Sequence, residues 1–312
     1  ERFFSGFNLK LDNDDYSKLN LRKNQKLNKH FCSEAPDVSI FYGRTEELNI
    51  LEKWIITDYC RLITLVGIGG IGKTSLSAKV IHNIRDNFDF TIWFSLRNAP
   101  PPLEIISNLL QVLSNGEEVD LARNIPALIN KLIEYLQNQR CLIVFDNVDA
   151  VFSDSNYSGN YLPGYEGYGE IFQKVGEIQH QSCLLMTSRE KPREIAAIEG
   201  NVLPVRCLQV NGLDIPEVRK VFAGKGITDG VDSDWERLTV NYGGNPLYLK
   251  FIATTVLDLF EGDISSFIVD GSKVFGDVRN LISKQFNRLS ELEKSLLYWL
   301  AINQDAVDLK EL

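Results

Sequence analysis

The spacing of apolar and polar positions changes period several times along this chain, and each change marks an element. LITLV at 62–66, CLIVFD at 141–146 and CLLMTS at 183–188 are almost unbroken apolar runs. Runs this short and continuous read as strands covered on both faces. TIWFSL at 91–96 is a fourth. Between them the period becomes helical. From about Lys73, the residues Leu76, Val80, Ile84 and Phe88 share one face, and PLEIISNLLQVLS, IPALINKLIEYLQNQ and EIFQKVGEIQ are further amphipathic segments. Upstream, TEELNILEKWIIT sets Leu48, Leu51 and Ile55 at helical spacing, with Thr45 as N-cap and Glu46 and Glu47 in the first turn. VSIFYGR just before it reads as a short β-rich run. Strands alternating with helices predict an α/β fold, a parallel sheet with helices on both faces.

After about Val210 the strand pattern stops. PEVRKVFAGKGI, WERLTVNY and NPLYLKFIATTVLDLF read as helices, punctuated by Gly243, Gly244 and Pro246. The last forty residues read as two helices and the start of a third, while residues 1–36 are polar with no sustained period. The expected division is a linker or tail of an upstream region over 1–36, an α/β domain over 37–210, a helical domain over 211–272, and the start of another unit over 273–312. The chain begins at Glu1 and stops without a terminator, so a piece of a longer protein is expected.

Composition narrows the function classes. The 312 residues are 44% hydrophobic and 24% charged, which is ordinary for a globular protein with a sizeable core. Basic residues number 33 and acidic ones 42, giving −9 at pH 7. That balance argues against sequence-independent nucleic-acid binding, which needs a basic footprint. Five scattered cysteines, never Cys-x-x-Cys, read as buried thiols in a reducing cytoplasm. No apolar run reaches the length of a membrane span. His30, His82 and His180 form no ligand-like cluster, so no transition-metal site is expected.

The candidate chemistry begins where the first apolar strand ends. Residues 67–72, GIGGIG, hold four glycines in six positions and lead into Lys73, Thr74 and Ser75. The stretch matches G-x-x-x-x-G-K-[ST], between a strand and a helix as that pattern requires. Bare backbone at Gly67, Ile68, Gly69, Gly70, Ile71 and Gly72 lets successive N–H groups wrap a phosphate chain, and the helix N-terminus adds its positive dipole end. Lys73 is placed to neutralise β and γ phosphates, and the Thr74 hydroxyl to join a Mg²⁺ shell. Asp146, ending a buried strand, puts a carboxylate at the sheet's C-terminal edge, where it can hold Mg²⁺ through water. Asn147 follows where an efficient ATPase usually carries a second acid. An amide orients water but accepts no proton from it. Asp149 stands on the same face if the strand persists, as a substitute acid or as a loop cap. Arg189, at the tip of another strand, reads either as a reporter on a γ-phosphate or as a salt-bridged surface arginine.

With these pieces in order, the chain from about residue 38 onward resembles the NB-ARC branch of the STAND signalling ATPases, the P-loop proteins that include plant disease-resistance receptors and apoptosome activators. FYGRTEEL resembles the family's opening motif, GIGGIGKT its P-loop, CLIVFDNV its Walker B strand, LLMTSR its sensor strand and GGNPLYLK its Gly-x-Pro-Leu motif. LSELEKSLLYWLAINQ resembles the start of its winged-helix domain. The resemblance implies that Gly43 and Arg44 approach an adenine, that Pro246 closes over the base, and that Arg189 senses phosphate. It further implies bound ATP or ADP with Mg²⁺, an ADP-bound resting state, opening and self-association with ATP, and slow hydrolysis. The wording of GYEGYGEIFQKVGE is like that of bacterial members with repeat sensor domains downstream, and an N-terminal effector is a further possible partner. An ordinary steady-state ATPase and an ATP-dependent DNA-binding regulator are the competing readings. Asn147 opposes the first and the net charge opposes the second.

Overall fold

A computed structural model describes residues 29–115, 124–153, 159–270, 283, 286–287 and 289–303. Six strands, β1 (Lys29–Phe31), β2 (Leu62–Val66), β3 (Phe90–Ser95), β4 (Cys141–Asp146), β5 (Cys183–Ser188) and β6 (Val205–Gln209), form one sheet. Its order is β1-β3-β4-β5-β2-β6, and every pairing is parallel. The strand β5 lies between β2 and β4, with Val66 opposite Ser188 and Phe145 opposite Met186. The loops that leave β2, β4 and β5 therefore emerge side by side at the C-terminal edge of the sheet.

Period-two alternation along the strands feeds two cores. Ile143 and Phe145 of β4 face one side, where α3 (Pro102–Leu113), α4 (Ile125–Asn138) and α5 (Gly167–Glu177) supply Leu109, Leu132 and Phe172. Leu142 and Val144 face the other side, where α1 (Thr45–Glu52) and α2 (Lys73–Ile84) supply Leu51, Leu76 and Val80. A short α6 (Arg193–Ile198) precedes β6. Beyond the sheet, α7 (Ile215–Ala223), α8 (Asp232–Asn241), α9 (Pro246–Phe260) and α10 (Ile264–Asp270) build a third core of their own. Trp235 is buried there with its ring edge-on to Phe222, the centroids 5.2 Å apart. The last described helix, α11 (Glu291–Asn303), starts on a reciprocal cap: Ser290 N–H donates to Glu293 Oε2 (2.8 Å) and Glu293 N–H to Ser290 Oγ (3.3 Å).

Four local expectations change. VSIFYGR forms no strand. Asp37 accepts hydrogen bonds from both the N–H (2.9 Å) and the hydroxyl (2.8 Å) of Ser39, turning the chain. Gly43 and Arg44 then sit at φ 65° and 63°, a left-handed pair that extended backbone cannot contain. In consequence Arg44, not Thr45, occupies the N-cap of α1. Lys29–Phe31, inside the stretch read as linker, is the edge strand β1, and three residues carry no readable period. β6 was not singled out because VRCLQ is polar at Arg206 and Gln209, as suits an outer strand with one side half-exposed. Residues 1–28 and most of 273–312 lie outside the described residues, so the linker and winged-helix expectations fall largely on chain that is not described. Among the described residues no helix is long and apolar enough to cross a membrane, and no group of three or more His, Cys, Asp or Glu could hold a metal ion. The five cysteines are free.

Candidate nucleotide site

Bare backbone at two positions builds the loop between β2 and α2. Gly70 and Gly72 take φ 81° and 103°, which L side chains rarely adopt, and Gly72 is the N-cap of α2. The exposed N–H groups of the first turn of α2 thus open onto a cleft of about 350 Å³. Gly69, Gly70, Gly72, Lys73, Thr74, Ser75, Asn147, Asp149, Arg189 and Pro246 all line that cleft. The strand order brings the loops after β2, β4 and β5 together, and Pro246 joins them from the start of α9.

Lys73 is almost buried, and its Nζ donates to the carbonyls of Gly67 (2.6 Å) and Ile68 (3.1 Å) of its own loop. Burial pulls its ammonium down to about 8; Arg189 adds to this, and Asp149 and Asp146 oppose it. An ammonium in that condition gains from any anion placed beside it. Ile71 anchors the loop with a side chain only 2% exposed, while Ile68 points outward.

Asp146 lies behind the cleft and is 4% exposed. Its Oδ1 accepts from the Thr74 hydroxyl (2.8 Å) and from the Thr187 hydroxyl (2.6 Å). The hydroxyl and carboxylate oxygens of Thr74 and Asp146 are the hard donors Mg²⁺ prefers, and they adjoin the loop that would hold phosphates. These residues fit the ion. Asn147 leaves the strand in a left-handed conformation, φ 62°, ψ 44°. Its N–H donates to Thr187 Oγ1 (2.9 Å), and its buried side-chain Oδ1 has no hydrogen-bond partner among the described residues. The strand therefore does not persist to Asp149. A 3-10 turn, Val148–Val151, carries that carboxylate to Arg189, with Nε 3.4 Å from Oδ2 and the Arg189 N–H donating to Oδ1 at 3.3 Å.

The residues expected around a base are divided. Arg44 is 7% exposed; its Nη2 donates to the Ile71 carbonyl (3.0 Å) and its Nη1 to Glu47 Oε1 (2.7 Å). It lines a second cavity of about 450 Å³ with Gln209, Asn211, Asp214 and Glu217. Gly43 packs directly under the Glu217 side chain, and a Cβ there would collide with it. Pro246 lines the first cleft instead, with its Cγ 3.9 Å from where a Cβ on Gly72 would stand. Arg44 and Pro246 thus hold the same loop from different sides.

The helical bundle reaches the loop through a residue that sequence reading passed over. Asn245 is fully buried, and its Nδ2 donates to the Gly69 carbonyl (3.0 Å). Its Oδ1 caps α9 by accepting from the N–H groups of Leu247 (3.1 Å) and Tyr248 (3.4 Å). Leu247 N–H also approaches the Gly70 carbonyl (3.4 Å). A Cβ on Gly70 would lie 2.8 Å from Leu247 Cβ, so this glycine admits the bundle as well as the turn. An Asn directly before a helix-opening Pro was the available signal. Arg97 and Lys250, two more cations on the cleft wall, had none, since both lie outside any phosphate-binding pattern.

Residues 44–161 match the NB-ARC domain family model, and disease-resistance proteins of plants align over much of the chain. Residues 44–161 are an NB-ARC domain. The family match opens at Arg44 and takes in the P-loop and the Walker B strand, β4; Arg189 and Pro246 lie beyond it. An uncharacterized WD repeat-containing protein of Nostoc sp. is 45% identical over 290 residues, 89% of this chain and 23% of that protein. Disease resistance protein RPV1 of Vitis rotundifolia is 25% identical over 266 residues, 81% of this chain and 17% of its own. A probable disease resistance protein of Arabidopsis thaliana, RXW24L, is 26% identical over 133 residues, 41% of this chain and 15% of its own. The NB-ARC chain thus spans less than a quarter of each of these relatives.

Proposed function

We propose that this NB-ARC chain is the adenine-nucleotide-gated switch of a longer signalling protein. ADP with Mg²⁺ holds the resting form; exchange for ATP releases the helical bundle from the P-loop and lets protomers associate; hydrolysis, slow because of Asn147, resets it. The observation that carries the reading is the hydrogen bond from Asn245 Nδ2 to the Gly69 carbonyl. A phosphate-binding loop whose carbonyls are held by a separate helical core couples its own conformation to the placement of that core. Only differential contact of ADP and ATP with the two arrangements can shift the balance between them. The added phosphate would enter the cleft that Pro246 and Lys250 of α9 share with Lys73, Asn147 and Arg189, where those contacts differ. The WD repeats named in the Nostoc relative support a repeat-type sensor beyond this region.

This reading predicts how the joint between the two parts responds to ligand. β6 ends at Gln209 and α7 begins at Ile215, so residues 210–214 connect the cores, with Asn211 and Asp214 exposed and Val210 and Leu213 buried. Proteolysis near 205–215 that proceeds through the separated form is expected to slow about tenfold at ADP ten times its Kd. Equal cleavage rates with and without saturating ADP, followed by gel and mass spectrometry, would remove the closed resting state.

A further inference from the structure

The strand β5 stands between the P-loop strand β2 and the Walker B strand β4, and Thr187 is the residue on it that faces both ends of the site. In register, Phe145 lies opposite Met186, so Thr187 follows alongside Asp146. A hydroxyl has one proton to give and lone pairs to accept with. Thr187 gives its proton to Asp146 Oδ1 at 2.6 Å and accepts the N–H of Asn147 at 2.9 Å. Thr187 is 1% exposed, so water does not compete for either bond. The length to Asp146 is that of a hydrogen bond to an ionised carboxylate. On its other side the same Oδ1 receives Thr74, which adjoins the phosphate loop.

We propose that Thr187 is a positioning residue for the magnesium-nucleotide complex: it fixes the rotation of the Asp146 carboxylate toward the ion and holds Asn147 in its left-handed turn. The assignment rests on the nucleotide reading above. Two hydroxyl donors on the one oxygen Oδ1 restrict rotation of the Asp146 carboxylate, so its other oxygen keeps one direction before any cation arrives. Partners of this kind, which bond a ligating group rather than the metal, typically change metal affinity about 10–100-fold when removed. The competing role is plain structure: the hydroxyl satisfies an N–H at the end of a strand, and its loss disturbs only stability.

The ratio of ADP affinity with Mg²⁺ to that in EDTA separates the two roles. Thr187→Val keeps the branched shape and loses both hydrogen bonds; Thr187→Ser keeps the hydroxyl. Titration calorimetry on the folded proteins is expected to show the ratio falling about tenfold in Thr187→Val, with ADP affinity in EDTA unchanged, and restored in Thr187→Ser. In an Asp146→Asn background, Thr187→Val is expected to have no further effect on the ratio, because both act through one carboxylate. Thr187→Ala, which also loses the hydroxyl, replaces Thr187→Val in both backgrounds with the same expected ratios if Thr187→Val does not fold, and a Thr187→Ser ratio at least tenfold below wild type overturns the assignment. So does an unchanged ratio in Thr187→Val, an equal loss with and without Mg²⁺, or additive effects with Asp146→Asn. A wild-type chain that binds no ADP in either condition overturns the nucleotide reading itself.

Discussion

Wild-type protein is expected to purify with bound ADP, and Lys73→Ala to purify without it. The ammonium is nearly buried, bonded to two carbonyls of its own loop and pulled down by burial to about 8. It is a charge kept where water contributes little, and phosphate oxygens are the partners that relieve it. A hydrogen bond to a charged group contributes about 1.5–3 kcal/mol, so contacts to two phosphates amount to about 3–6 kcal/mol, or roughly 10²–10⁴ in Kd. The loop carbonyls of Gly67 and Ile68 lose a donor as well, so thermal unfolding of the variant without ligand has to be measured beside it. Denaturing release followed by chromatography reads retention, and the shift in Tm with millimolar ADP reads binding. A Lys73→Ala protein that keeps its nucleotide at wild-type occupancy contradicts the phosphate role of the loop.

Asn147→Asp is expected to speed hydrolysis. Phosphoryl transfer depends on positioned water and charge stabilisation, which Lys73, Thr74 and Mg²⁺ can largely provide, so the wild type should turn over slowly rather than not at all. A proton acceptor is the missing contribution, typically worth about 10²–10⁴ in rate. The site is suited to accept one. Asn147 lines the cleft, and its Oδ1 is buried without a hydrogen-bond partner among the described residues. Asp tolerates the same left-handed backbone, and Asp146 next to it would raise the new carboxyl toward the range of a useful base. Asp149 is not placed to supply the role from the 3-10 turn, since its carboxylate is held by Arg189. Single-turnover rates of the two proteins decide this. Wild-type turnover already within the roughly 1–10³ s⁻¹ of ordinary enzymes, unchanged by Asn147→Asp, contradicts the reading of that position.

Legibility in the sequence followed the strength of the local signal. The buried strands β2, β4 and β5 announce themselves because both faces are covered and their apolar runs are unbroken. Lys73, Thr74 and Asp146 were legible because a spacing pattern and a strand end point to the same place. What escaped was decided by contacts between distant parts. Asn245 bonds Gly69 across the joint of the two cores, and Thr187 joins Asp146 to Asn147 across two strands. Neither bond leaves a periodicity. The turn at Asn147 was missed for another reason: continuing a strand by its own alternation ignores a residue that readily takes the left-handed region. The separation of Arg44 from Pro246 is likewise a matter of packing, because Glu217 packs on Gly43 beside Arg44 while Asn245, next to Pro246, bonds Gly69.

The central claim is that ADP and ATP differ in how firmly they hold α9 on the P-loop, and amide hydrogen exchange over residues 245–250 reads that hold directly. The N–H groups of Leu247 and Tyr248 are capped by Asn245, whose other end is bonded to Gly69. Protection of this segment is predicted to rise with ADP and Mg²⁺ and to fall when a non-hydrolysable ATP analogue replaces it at saturation. Identical exchange in the two nucleotide states, with both shown to be bound, would contradict the switch.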